Sequence, residues 1–179
     1  ATRWALPPER AAALRDATPP GWRVRVMHTP TDSEGDGGMP PHPLLLDAVS
    51  DAEVYVGYGV TAPLLDAAPR LRWAQSAAAG VRSLLPALAA RPDLVLTNAA
   101  GIMADPIAEH VLAGVLHFLR GLDVAAAQQR AARWDRAPWA GPVPGGVDAA
   151  PRELGECRVL VVGAGGIGAA VAARCAALG

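Results

Sequence analysis

The stretch RVLVVGAGGIGAAVAARCAALG, residues 158–179, constrains this chain more than any other. Four apolar residues, Val159 to Val162, run into glycines spaced Gly-x-Gly-x-x-Gly at Gly163, Gly165 and Gly168, and an alanine-rich stretch of high helix propensity follows. A short apolar run closed by glycine reads as a buried strand, which puts the glycines on a strand-to-helix turn. The spacing has a mechanical reason: the first glycine permits the tight turn, the second lets a ligand approach the backbone, and the third lets helix and strand pack closely. Gly166 and Ile167, between the second and third, open the helix, so the loop offers N–H donors and the positive end of a helix dipole to an anion. The anion this pattern fits is a dinucleotide pyrophosphate. Gly163, Gly165, Gly166, Ile167 and Gly168 are therefore expected to hold NAD or NADP. The acidic residue that would grip the adenosine ribose, and so separate the two cofactors, is expected about 20 residues after the first glycines, beyond Gly179.

Upstream, strand-like and helix-like segments alternate. TRWAL (2–6), WRVRVMH (22–28), AEVYVGYG (52–59), LRWAQSA (71–77) and DLVLTNAA (93–100) read as strands. PPERAAALRDA (7–17), LLLDAVS (44–50), APLLDAA (62–68) and VRSLLPALAA (81–90) read as helices between them, with a turn-rich surface loop over 29–43. Such alternation predicts an α/β fold: a five-stranded, flavodoxin-like parallel sheet with helices on both faces. From Asp105 the pattern changes. Ile107, Val111, Leu112, Val115, Leu116 and Leu119 line one face of a longer helix that is expected to continue through DVAAAQQRAARWDR (123–136). A Pro/Gly-rich connection over 137–151 then leads to the strand at 157–164. The expected domains are 1–101 and 102–179, the second being the beginning of a Rossmann nucleotide-binding domain.

Charge and composition exclude several classes of function. A net charge of −1 gives no electrostatic footprint for nucleic acid or an anionic membrane. All sixteen basic residues are arginine, so Schiff-base chemistry is excluded. Cys157 and Cys175 read as small buried hydrophobes. Asp32, Glu34 and Asp36 alternate as in a calcium loop, but Pro43 stands where that loop needs a bidentate Glu. His110 and His117 are seven residues apart, not the three or four of a helical metal pair. They read as packing residues, His28 and His42 as strand-end and loop residues, and Trp134 and Trp139 as anchors. No metal site is expected. No uncharged apolar run reaches the ~20 residues of a membrane span, and the start shows no signal-peptide core, so a cytoplasmic protein is expected.

LRWAQSAAAGVRSLLP, LTNAAGIMADPIAEHVLAGVLHFLRGL and RELGECRVLVVGAGGIGAAVAARCAALG, in this order, resemble the D-isomer-specific 2-hydroxyacid dehydrogenases, in particular the glyoxylate/hydroxypyruvate reductase branch. The resemblance spans essentially the whole chain. The middle motif is the more specific, because a glycine, the Ala108-Glu109 pair and Arg120 at these intervals are not demanded by a generic nucleotide-binding helix. The resemblance implies a two-domain, homodimeric, NAD(P)-dependent reductase of small 2-oxo acids, with the substrate domain first and Gly101 to Asp105 as the crossing. It implies that backbone N–H groups of Ala79, Gly80 and Val81 hold the substrate carboxylate and that Tyr58 points into the same crevice. Ala104 stands where some members carry a threonine that touches the cofactor, and alanine has no hydroxyl to offer. The family's arginine, acid and histidine match no residue here. They are expected beyond Gly179, so no catalytic residue is assigned and the chain alone is expected to be inactive. Two rival readings remain: another two-domain NAD enzyme, such as an alanine dehydrogenase or adenosylhomocysteinase relative, and a naturally short, non-catalytic protein that binds a small acid or a partner.

Overall fold

A computed structural model describes residues 6–29, 40–141 and 150–179. The chain divides into two units, Ala1–Ala100 and Gly101–Gly179.

In the first unit three short strands, β1 (Val54–Gly57), β2 (Trp73–Ser76) and β3 (Val95–Thr97), form a parallel sheet in the order β1-β2-β3. Tyr55 lies opposite Ala74, which lies opposite Leu96. Parallel pairing follows from the connections: α3 (Ala62–Ala67) carries the chain from β1 back to the start of β2, and a 3₁₀ turn with α4 (Leu85–Ala89) does the same between β2 and β3. Proline in the first turn starts these helices and also α1 (Pro8–Ala17) and α2 (Pro43–Val49), because its missing N–H costs nothing there.

Alternation along the strands sends Tyr55, Gly57, Ala74 and Ser76 into the core and leaves Val56 and Trp73 exposed. The core is completed by Val49, Val60, Leu64, Leu65, Ala68, Leu71, Leu84 and Leu94. Each buried leucine contributes roughly 1.5–3 kcal/mol. Arg91, just before β3, ties this layer together: its guanidinium donates to the carbonyls of Leu65 (3.4 Å), Ala68 (3.3 Å) and Leu71 (2.8 Å) at and beyond the end of α3.

The predicted strand at 2–6 lies almost wholly outside the described residues, as does the calcium-like run Asp32, Glu34, Asp36. The segment 22–28, expected as a strand, joins no sheet among the described residues. Its alternation is real, since Arg23 and Arg25 both reach Asp51, so the side chains find a partner although the backbone joins no ladder among the described residues.

In the second unit the long helix is broken. It comprises α5 (Ala104–Leu119) and α6 (Leu122–Arg130), bent by 72°. Gly121 adopts φ +61° between them, a left-handed conformation that ends α5 at little steric cost. Arg152 returns to this corner, donating its N–H to Leu119 O and accepting from the Arg120 guanidinium at its own carbonyl. The last helix, α7 (Gly166–Ala177), packs along α5. Ala108 is fully buried while Val111 is exposed, so the packed face of α5 is turned toward Ala108 rather than Val111. Arg174 of α7 fastens the pair through Asp105 (2.8 Å) and Glu109 (3.8 Å).

The expected strand at 157–164 has strand-like alternation without a ladder. Cys157, Val159 and Val161 line a cavity of about 280 Å³ with Leu112, Val115 and Cys175, while Leu160 and Val162 on the other face are 87% and 91% exposed. Pairing needs a neighbour, and among the described residues this segment joins no sheet. Both cysteines are free thiols. No single helix among the described residues is long and apolar enough to cross a membrane.

Candidate functional site

The glycine turn has the geometry its spacing requires. Gly163 adopts φ +95°, which an L side chain rarely tolerates. A Cβ at Gly168 would overlap the carbonyl oxygen of Gly163 and come within 3.2 Å of Val161 Cγ1, so helix and turn touch through the missing side chain. Gly165, the N-cap of α7, is the reverse case: a Cβ there would meet nothing within 4 Å. Gly166 and Ile167 are the first residues of α7, and Gly165 O accepts the N–H of Ala169 at 2.8 Å, closing the first helical turn. No side chain caps this N-terminus. Its leading N–H groups are therefore available to an anion beside Gly165. Ala104 stands against this turn, its Cβ 3.8 Å from where a Cβ of Gly166 would be.

In the first unit, parallel registration brings the carboxyl ends of all three strands to one edge. The loop after β1 carries Tyr58, half-buried, whose carbonyl accepts the Tyr55 hydroxyl at 2.6 Å. Tyr55 itself is buried, and loss of solvent pushes its phenol up to about 12. The loop after β2 holds Ala79 and Gly80, both exposed, and half-buried Val81 at the start of the 3₁₀ turn. None of these three donates its N–H to the backbone of another described residue.

Three residues that sequence reasoning passed over hold this edge in shape. Ser76, fully buried, accepts the Ala78 N–H on its hydroxyl at 3.2 Å. Asn98, just past β3, donates its side-chain amide to Ala79 O (2.8 Å) and accepts the Ala100 N–H (3.3 Å). Tyr55 steadies the first loop. Nothing local signalled the second of these, because Asn98 lies inside the segment 93–100 that reads as a strand.

The histidines form no site. His42 caps α2 by accepting the Leu44 N–H, His117 makes an edge contact with the Phe118 ring, and His28 and His110 are exposed. Among the described residues no group of three or more His, Cys, Asp or Glu side chains could hold a metal ion.

No protein-family model matches the sequence, and no curated protein does. Solved structures do. A D-lactate dehydrogenase from Aquifex aeolicus, crystallised with NAD and lactic acid, superposes with a TM-score of 0.66 at 20% identity, over 96% of this chain and 45% of that one. The chain has the fold of the D-isomer-specific 2-hydroxyacid dehydrogenases. A D-isomer-specific 2-hydroxyacid dehydrogenase from Xanthobacter autotrophicus Py2, in complex with NADPH and MES, matches at 27% identity with a TM-score of 0.58, over 93% of this chain and 46% of that one. The chain thus spans about half the length of the 2-hydroxyacid dehydrogenases it matches, and the family resemblance read from its motifs agrees with the fold.

Proposed function

We propose that this chain supplies the substrate-binding unit and the opening of the nucleotide-binding unit of an NAD(P)-dependent oxidoreductase that reduces a small 2-oxo acid to its D-2-hydroxy acid. The observation that carries this reading is the glycine turn: a positive φ at Gly163, a third glycine packed on the first, and open space at Gly165 beside an uncapped helix. The cofactor supplies the hydride when bound. The chain's own part is to bind and orient. N–H groups from Gly163 to Gly168 take the pyrophosphate, and those of Ala79, Gly80 and Val81 take the substrate carboxylate, with Tyr58 on the neighbouring loop bounding the crevice. The two solved dehydrogenases support the reading by what they carry, NAD with lactic acid in one and NADPH in the other.

The proposed functional domains are 1–101 and 102–179, and the proposed working form is a cytoplasmic homodimer acting on acids the size of glyoxylate or hydroxypyruvate. No arginine, acid or histidine of this chain is proposed as catalytic. Residues 1–179 alone are therefore expected to give no turnover of glyoxylate or hydroxypyruvate with NADH or NADPH, because bound groups without a proton donor and a polarising cation lack the reaction geometry.

The test is an amide NMR titration of the isotope-labelled chain with NADH, NADPH and glyoxylate. Dinucleotide-induced shifts concentrated at Gly163–Gly168, and glyoxylate-induced shifts at Ala79–Val81, are expected. Shifts at neither place, with the fold intact, would overturn the reading.

A further inference from the structure

Past Ala77, whose N–H donates to Gly57 O on the β1 side, the loop after β2 is held at its carbonyls by the residues that follow β3. Ala78 O accepts the N–H of Ala99 at 3.1 Å, and Ala79 O accepts the side-chain amide of Asn98 at 2.8 Å. In a trans peptide the C=O and the following N–H point in opposite directions. Two consecutive carbonyls drawn toward the residues that follow β3 therefore turn the N–H groups of Ala79 and Gly80 the other way, together and toward solvent. Two adjacent amides aimed alike form a concave donor pair suited to an anion. The first carbonyl is fixed by backbone, but the second depends on a single side chain.

We propose that Asn98 is a positioning residue for this pair: it sets the Ala79–Gly80 peptide so that both N–H groups face one carboxylate. This rests on the proposal that the loop binds the carboxylate of a small acid. Asn98 does not touch that ligand. Its Oδ1 accepts the Ala100 N–H, which fixes the side-chain plane and leaves the amide donor aimed at Ala79. The same residue links the loop to Ala100, the last residue of the first unit.

Asn98→Ser separates the two contacts. A serine hydroxyl can still accept the N–H two residues on, keeping the local turn, but it is too short to reach Ala79 O. Amide spectra of wild type, Asn98→Ser and Asn98→Ala would be recorded during glyoxylate titration. The expected result is loop shifts in wild type, and at least about tenfold weaker binding in both variants, with Val54–Gly57 and Trp73–Ser76 amides unmoved and backbone order at Ala79 and Gly80 reduced. Wild-type affinity in Asn98→Ser would overturn the positioning role while leaving the carboxylate site standing. Absence of loop shifts in wild type itself would overturn the carboxylate site, and the role of Asn98 with it.

Discussion

Gly168 lies so close against Gly163 that a single methyl group on the former would overlap the carbonyl oxygen of the latter. Gly165, between them, borders open space. Two glycines of one motif thus serve different ends, and their substitution should separate stability from binding.

Gly168→Ala must push α7 away from the turn, and overpacking of this kind costs about 1–3 kcal/mol. Gly165→Val, whose Cβ meets no atom within 4 Å, should cost less stability than Gly168→Ala and reduce dinucleotide-induced shifts at Gly163–Gly168, since its side chain would fill the space where a pyrophosphate would sit. Calorimetry and titration on the two variants check this, and equal effects of both on stability would contradict it.

Tyr55 links stability to alkaline pH. Burial raises its phenol to about 12, above the ordinary value of about 10. A raised folded-state value means that the contribution is complete below about pH 10 and is lost as pH climbs through about 12. Urea midpoints should therefore fall between about pH 10 and about pH 12, and Tyr55→Phe should flatten the fall while costing about 1 kcal/mol at neutral pH for the lost bond to Tyr58 O.

At the acid end, the hydrogen bond from Arg25 holds the Asp51 carboxyl below its usual value, against a smaller opposing effect of desolvation and with added help from the Arg25 and Arg23 charges. A depressed value contributes stability above the ordinary carboxylate range and loses it as pH falls through the depressed value. Carboxyl NMR titration should show Asp51 ionising below an ordinary aspartate, and Arg25→Ala should return it toward that range. The pair is exposed, so raising salt should weaken the effect.

Arg91 serves three carbonyls at once; Leu65 O and Ala68 O also accept the N–H groups of Ala68 and Leu71, so its removal bears most on Leu71 O. Arg91→Ala is expected to destabilise the first unit by about 1–3 kcal/mol. Arg91→Lys should recover little, because one ammonium cannot reproduce the planar fork that reaches Leu65, Ala68 and Leu71. Denaturant midpoints of the two variants decide the matter.

What could be read from the sequence was local chemistry. Gly163, Gly165 and Gly168 announce their turn because glycine spacing encodes backbone geometry directly, and the proline at the start of the first helix marks it for the same reason. The break at Gly121 was missed because a glycine between two helical patterns reads equally as a tolerated interior residue. The apolar alternations at 22–28 and 157–164 were seen, but pairing is a property of two segments, and only β1, β2 and β3 have described partners. Asn98 was unreadable as a positioning residue for a related reason. Its partner, Ala79, is nineteen positions away and comes within reach only when β2 and β3 lie side by side.

The segment at 157–162 carries a consequence for handling the protein. Leu160 and Val162 stand outward on a stretch that joins no sheet among the described residues, and the chain's net charge of −1 supplies almost no repulsion between molecules. Association in concentrated solution is then expected to run through this apolar edge. A preparation can lose soluble material while every remaining molecule is still correctly folded.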